Sequence, residues 1–327
     1  MRAKFVRALI TGITGFVGGH LVRHLVECGD VVIGLSRSGI WPAETKAEME
    51  RLARLEKIDL ADADDSEALA ELIDRKTPEA IYHLAAQSNP HASMDDPRGS
   101  WAVNLGGTIN LLEAVRESSV RPRILVVSSG VVYGNPPVDR IPVKEDCPER
   151  PLNPYSASKI GADMAAVQAF LGYGLAAIVA RPFNHAGPGQ SPRYVLPALA
   201  KQAAEVASGK QAELNTGNLD IVRDFTDVRD IVRGYRMLIE KGTPGEIYNL
   251  GRGTGTRLAD ALEALRAISG HALPQKVDPA KLRGVDLPLL VADVSKVLAD
   301  TGWKAEIPIE TTMRDLYHEF RAAIAGE

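Results

Sequence analysis

The chain reads as α/β: a doubly wound parallel sheet followed by a smaller α/β domain. Three features predict this. Five short runs, "ALIT" (8–11), "VVIGL" (31–35), "AIYHLA" (80–85), "RILVVSS" (123–129) and "LAAIVA" (175–180), are apolar on both faces, as strands covered by helices on both sides must be. Helical patterns near 17–28, 64–75, 95–119 and 155–171 alternate with them, and such alternation specifies parallel strands joined by crossover helices. A glycine-rich turn links the first run to the first helix.

After Arg181-Pro182 the texture changes. "NHAGPGQSPRY" is a loop rich in Gly and Pro, and a helix follows over 194–208 with Pro197 in its first turn, where proline is tolerated. Later elements are shorter and mixed. The reading sets residues 1–182 as the sheet domain and 183–327 mainly as the second domain, with segments near 211–250 as candidates to rejoin the first. There is no internal repeat. Residues 38–57 are polar, include Trp41 and Met49, and carry no pattern that places them.

A length of 327 residues leaves room for two domains, at roughly 150 residues each. With 45% hydrophobic and 24% charged residues, the composition is that of a soluble globular protein. Only 5% of residues are aromatic, so aliphatic side chains must build the core. The net charge of −4 and the absence of a basic run argue against nucleic acid or an anionic membrane as partner. Two cysteines, Cys28 and Cys147, suggest neither a disulfide framework nor a metal site, and they fit a reducing, cytoplasmic setting. The start, "MRAKFVRALITG", enters a strand without the apolar stretch of a signal peptide. Residues 164–180 carry no charge and reach the lower limit of a spanning helix. Gly172 and Gly174 divide them, so the reading is helix, turn and buried strand.

"TGITGFVGGHL" places Gly12, Gly15 and Gly18 at the spacing G-x-x-G-x-x-G. The first two let the backbone turn and approach a pyrophosphate, and the third lets the helix pack close on the sheet. The helix N-terminus then offers its unpaired N–H groups to phosphate. A Rossmann-type dinucleotide site is expected, with Gly12, Thr14, Gly15, Phe16, Val17 and Gly18 as its loop. At the end of the second strand, where an acidic residue favours NAD, the chain has Ser36 and Arg37. These suit a 2′-phosphate, so NADP(H) is expected, with NAD(H) as the second choice; a solvated Arg37 is the plain alternative. Asp59, followed by Leu60, stands where a carboxylate can accept the adenine amino group, or is simply a surface Asp. Leu84, Ala85 and Ala86 end the fourth strand with room for ribose and nicotinamide.

"YSASK" sets Tyr155 and Lys159 one turn apart on one helical face. One ammonium can then lie beneath both a phenol and a nicotinamide ribose. A nearby cation favours phenolate and is expected to lower the Tyr155 pKa, so that the phenol can exchange a proton with an alcohol or carbonyl oxygen while hydride moves. Ser129, on an intervening strand end, adds a hydroxyl. No clustered Cys, His and Asp set suggests a metal.

The motifs "TGITGFVGG", "HLAAQS", "VNLGGT", "SSGVVYG", "YSASK" and "RPFNHAGPGQ" stand in the order found in extended short-chain dehydrogenases/reductases that act on nucleotide sugars, and nearly the whole chain resembles that family. The resemblance implies Ser129, Tyr155 and Lys159 as the catalytic set and places Asn104 near the active site. Family members that perform 4,6-dehydration carry acids just after the Ser/Thr, where this chain has Gly130 and Val131, which disfavours elimination. "RPFNHAGPGQSPRYVLP" and "GNLDIVRDFTDVRDIV" are similar to members that handle GDP-mannose derivatives. That similarity implies reduction of GDP-4-keto-6-deoxy-D-mannose to GDP-D-rhamnose. Asn184 would contact substrate, and Arg223 and Arg283 would pair with its diphosphate. Arg223 has the alternative of a surface ion pair with Asp224 or Asp227, and Arg283 that of an exposed charge; Lys201 is the nearest match to a lysine some relatives carry. The family also implies a homodimer in which helices 95–119 and 155–171 form a four-helix bundle, unless both only cover the sheet. The rival readings are a 4-epimerase that retains NAD, and a cofactor-binding redox sensor, against which the retained Ser129, Tyr155 and Lys159 speak.

Overall fold

The computed structural model describes residues 6–62, 65–281 and 287–326. The first half runs β1 (Arg7–Thr11), α1 (Phe16–Glu27), β2 (Val31–Ser36), α2 (Lys46–Leu52), β3 (Ala53–Lys57), α3 (Ser66–Lys76) and β4 (Ala80–His83). Short helices α4 (Pro90–Asp95) and α5 (Pro97–Trp101) pass through a π-helical turn, Ala102–Gly106, into α6 (Gly107–Glu117). Then come β5 (Arg123–Val127), α7 (Pro154–Tyr173) and β6 (Ala176–Pro182).

The second half holds β7 (Asn184–Ala186), α8 (Val195–Ala207), β8 (Leu214–Thr216), β9 (Val222–Arg223), β10 (Phe225–Asp227), α9 (Val228–Lys241) and β11 (Ile247–Leu250). It ends with β12 (Thr256–Arg257), α10 (Leu258–Ser269), β13 (Gln275–Val277), β14 (Leu289–Leu290), α11 (Ser295–Thr301) and α12 (Ile309–Ala325).

Seven strands form one parallel sheet in the order β11-β6-β5-β4-β1-β2-β3. The order reverses between β1 and β4, and ligands of such sheets bind in the crevice beyond the carboxyl ends at that reversal. One face buries Leu9, Ile33, Ile124, Val126 and Val179 under α3, α6 and α7. The other buries Ile10, Leu125 and Ala180 under α1 and α9. A separate core of Leu196, Leu199, Leu262, Leu265, Met313 and Leu316 joins α8, α10 and α12.

The structure resolves two stretches the sequence left open or misread. Residues 38–57 contain α2 and the edge strand β3, with Trp41 and Met49 buried against the α1 side of the sheet. β3, "ARLEK", has one face in solvent, so it lacks the apolar signature of the inner strands. The expected single helix over 95–119 is broken at Pro97 and again at the π turn, whose wider winding rotates α6 relative to α5. Between 164 and 180, α7 ends at a left-handed Gly174 (φ 70°) and β6 begins at Ala176. Among the described residues no helix is long and apolar enough to cross a membrane.

Candidate active site

The glycine turn sits at the reversal of strand order. Gly12 has φ +70°, and a Cβ there would stand 2.7 Å from the Ala85 amide nitrogen. The loop and the end of β4 therefore meet backbone to backbone. A Cβ on Gly18 would lie 2.3 Å from the Ile13 carbonyl oxygen, so α1 rests directly on the turn. Gly15 caps α1 without a side-chain hydrogen bond, so no side chain of the cap occupies the first-turn N–H groups that begin with Phe16 and Val17. An open helix N-terminus beside a cradle that any Cβ would fill fits a dinucleotide pyrophosphate.

Around it, Ser36 is buried and its hydroxyl accepts the Gly39 N–H at 3.0 Å, shaping the turn, while Arg37 points to solvent. The Asp59 carboxylate accepts the Ala61 N–H at 3.1 Å and Leu60 is buried. Leu84 and Ala85 are tied to Thr11, by its carbonyl and its hydroxyl respectively, and Leu84, Ala85 and Ala86 are all half-buried.

Ser129, Tyr155 and Lys159 come together beside this cradle. Ser129 leaves β5 and caps a short 3-10 turn, accepting the Val131 N–H at 3.4 Å. Asn153 caps α7, accepting the Ser156 N–H at 2.9 Å, and this fixes where Tyr155 enters the cleft. The Ser129 hydroxyl lies near enough to the Tyr155 phenol to pull its pKa down. Burial pushes Tyr155 up to about 12, against that pull. The sequence led us to expect Lys159 to lower it. Instead Lys159 is itself buried and donates to the Val127 carbonyl at 2.6 Å, and loss of water around the phenol dominates. Burial also brings Lys159 down to about 8, with Asp163 acting to raise it.

Asn104 lies beneath this group rather than in the cleft. It is fully buried in the π turn; its Oδ1 accepts the Gln87 N–H at 2.7 Å and its Nδ2 donates to Ser158 Oγ at 2.9 Å and to the Gln87 carbonyl at 3.2 Å. All its polar capacity is spent joining the loop after β4 to the helix that carries Tyr155. A buried chain supports it: Ala85 N–H to Thr11 Oγ1, Thr11 to His83 Nδ1 (2.8 Å), His83 Nε2 to Thr108 (2.9 Å) and Thr108 to the Asn104 carbonyl (2.6 Å). Burial and the Lys159 charge hold His83 down to about 3, neutral.

On the substrate side, Asn184 is exposed on β7, which pairs with β10. The next residue, His185, stacks on Phe16 of the cofactor loop with ring centres 6.5 Å apart and planes 8° from parallel. His20 bonds the Pro188 carbonyl at 2.8 Å. Arg223 is half-buried on β9, between β12 and β14, and donates to the Val222 carbonyl at 2.9 Å. Nearby, Asp224 accepts the N–H groups of Arg252, Gly253 and Ala292, and Asp227 binds Arg229 and Thr312. Lys201 on α8 pairs with Glu205. Arg283 lies outside the described residues.

A Cβ on Gly130 would meet the Phe183 ring at 2.7 Å. Phe183 is buried, tilted against Tyr133 at 6.2 Å between ring centres, and immediately precedes Asn184. No carboxylate can stand at 130 while that ring is in place. Sequence reasoning missed Phe183, and also Asp163 and Arg181, which lie fully buried behind Lys159. The signals were present: Asp163 follows Lys159 by one helical turn, and Arg181 interrupts an apolar strand.

A Rossmann-type parallel sheet, a glycine cradle at its switch point and Tyr155 beside Ser129, with Lys159 one helical turn on, fit an NAD(P)-dependent oxidoreductase of the short-chain dehydrogenase/reductase class. The chain belongs to the GDP-mannose 4,6 dehydratase family, whose model matches residues 9–316. It is 32% identical over 322 residues to GDP-6-deoxy-D-mannose reductase of Pseudomonas aeruginosa, covering 98% of this chain and 99% of that protein. It is 31% identical over 306 residues to UDP-glucose 4-epimerase of Streptomyces lividans, covering 90% of each. Among solved structures, that of RMD from Pseudomonas aeruginosa complexed with NADPH superposes with a TM-score of 0.83 at 30% identity, covering 97% of this chain and 99% of that one.

Proposed function

We propose that this protein reduces the 4-keto group of a GDP-linked 4-keto-6-deoxyhexose, converting GDP-4-keto-6-deoxy-D-mannose to GDP-D-rhamnose. The observation that carries this reading is the buried Tyr155 phenol, held protonated beside the Ser129 hydroxyl. A reductase starts from a proton donor, whereas oxidation of a substrate alcohol starts from a proton acceptor. The Phe183 ring over Gly130 speaks against the acid that elimination requires.

When bound in the cradle, the reduced nicotinamide supplies the hydride. Tyr155 donates its proton to the sugar oxygen as charge develops there. Ser129 hydrogen-bonds the same oxygen, which matters most when the charge is greatest. Lys159 holds the ribose and balances the phenolate that Tyr155 becomes. Asn184 and Arg223 would hold the nucleotide sugar, with Arg283 as a further diphosphate partner.

The test is to mix the protein with GDP-4-keto-6-deoxy-D-mannose and NADPH and follow the reduced nicotinamide absorbance. Stoichiometric loss with a GDP-deoxyhexose product supports reduction, and NMR of the product gives its C4 configuration. No loss removes this reading. It would favour the second one, a 4-epimerase, for which the kinship to UDP-glucose 4-epimerase speaks; such an enzyme would be purified with NAD already bound.

The same groups set the pH dependence. For the free enzyme, kcat/KM should stay level up to about pH 8 and fall above it as Lys159 loses its proton, while Tyr155 stays protonated across that range. A profile rising between pH 7 and 9 would mean that a phenolate is required, and would contradict the proposal.

NADPH is the proposed donor, as Arg37 stands exposed at the end of β2 where a 2′-phosphate would lie. Arg37→Ala should lower kcat/KM with NADPH about tenfold or more while sparing NADH, the loss of one charge-assisted contact to phosphate. Equal losses with both would place Arg37 outside the cofactor site. We also propose a homodimer in the cytoplasm. Met94, Trp101, Ile109, Met164 and Leu171 expose apolar surface along α4–α7, the helices expected to pair. A monomeric mass by light scattering would refute the dimer.

A further inference from the structure

Lys159 is 3% exposed, and Asp163 and Arg181 are not exposed at all. A buried ammonium without a counter-charge gives up its proton. Lys159 has one backbone partner, the Val127 carbonyl. The groups shown to bear on its charge are Asp163 from its own helix and neutral His83 from β4. Among these, Asp163 is the negative charge, one turn further along α7.

Asp163 has a burial problem of its own, since desolvation favours its neutral form. Arg181 opposes that. Its Nε donates to Asp163 Oδ2 at 2.9 Å, its second nitrogen to Tyr133 Oη at 3.0 Å and its third to Glu149 Oε1 at 2.6 Å. The guanidinium also lies 5.0 Å over the Tyr133 ring. The result is a file of alternating charge from the cleft floor outward: Lys159, Asp163, Arg181, Glu149, with Glu149 alone partly in solvent. Asp163 Oδ2 carries the Arg181 bond, and the Ser128 hydroxyl also acts to keep the carboxylate ionised.

We propose that Asp163 and Arg181 are positioning residues for the reaction: Asp163 keeps Lys159 charged and in place beneath Tyr155, and Arg181 keeps Asp163 ionised. This rests on Lys159 serving a bound nicotinamide cofactor as argued above. Neither residue touches substrate or cofactor; both act through Lys159. Arg181 also stands one residue before the end of β6, with Pro182 between it and the Phe183–Asn184 segment, so the same pair ties the helix that carries Tyr155 and Lys159 to the start of the proposed substrate loop.

The decisive variant is Asp163→Asn, which keeps the shape and an acceptor for Arg181 but removes the charge. NADPH affinity, read by nicotinamide fluorescence, and kcat/KM would be followed from pH 6 to pH 9. The alkaline limb of both should move to lower pH by about one unit or more, the shift expected from losing an adjacent opposite charge. The variant should recover toward wild type at pH 6, and Asp163→Glu should restore the profile. A uniform loss at every pH, or an unmoved limb, would overturn the proposal and leave a merely structural pair. If Asp163→Asn does not fold, Glu149→Gln at the outer end serves instead. It leaves the Arg181 charge less diluted and cancels more of the Asp163 field, so the limb should move the same way by a smaller amount; an unmoved limb overturns the proposal. A wild type that binds NADPH with this pH dependence but leaves the keto sugar unreduced would sink the substrate reading and keep this one.

Discussion

Replacing Tyr155 with Phe should lower kcat for keto-sugar reduction about a thousandfold, or about 4 kcal/mol in activation free energy. The ring would still fill its buried place at the start of α7, since Tyr155 is 7% exposed and only the hydroxyl is lost. NADPH affinity should therefore stay near wild type, because Lys159 and the glycine cradle are untouched. Steady-state kinetics and fluorescence titration separate the two effects. A variant retaining a tenth of wild-type kcat would show that the proton comes from elsewhere. The effect is expected to be large because Ser129, the hydroxyl beside Tyr155, is too weak an acid to replace a phenol.

Gly18→Ala should abolish cofactor binding and destabilise the fold together. Its methyl group would fall 2.3 Å from the Ile13 carbonyl oxygen, a backbone atom that cannot swing aside as a side chain would. Either α1 moves off the sheet or the turn before it deforms. Overpacking of this kind costs about 1–3 kcal/mol, and a displaced helix start would no longer aim its N–H groups at a pyrophosphate. Thermal unfolding and NADPH titration of the variant test this. A stable variant with wild-type affinity would mean that the turn relaxes freely, contrary to the close packing described.

The fold was legible because its signals are local. The inner strands are apolar on both faces, and the glycine spacing marks where β1 turns into α1. The placing of Ser129 at a strand end and of Tyr155 and Lys159 one helical turn apart was legible for the same reason. The features that escaped depend on contacts between distant segments. β3 lies at an edge with one wet face, so "ARLEK" carries no strand pattern. Asn104 was placed near the active site by resemblance; its bonds to Gln87 and Ser158, made from the π turn, are a partnership no spacing rule encodes. The pKa of Tyr155 was read from its neighbour Lys159, whereas burial, a property of the whole fold, sets its direction. Asp163 and Arg181 lie on different elements, and only the sheet brings them within 2.9 Å.

The Phe183 ring over Gly130 also bears on how this chain could diverge. Relatives in one family reduce, epimerise or dehydrate sugars on a shared frame, and the step between activities is often pictured as one exchanged side chain. Here a side chain at 130 cannot be tried alone. It would have to displace the Phe183 ring, which packs against Tyr133 just before β7, so the first mutant on that path would disturb this packing before gaining an acid. Selection acting on single changes is left with Val131, or with a paired change at 130 and 183, and that narrows the routes by which elimination could arise from this sequence.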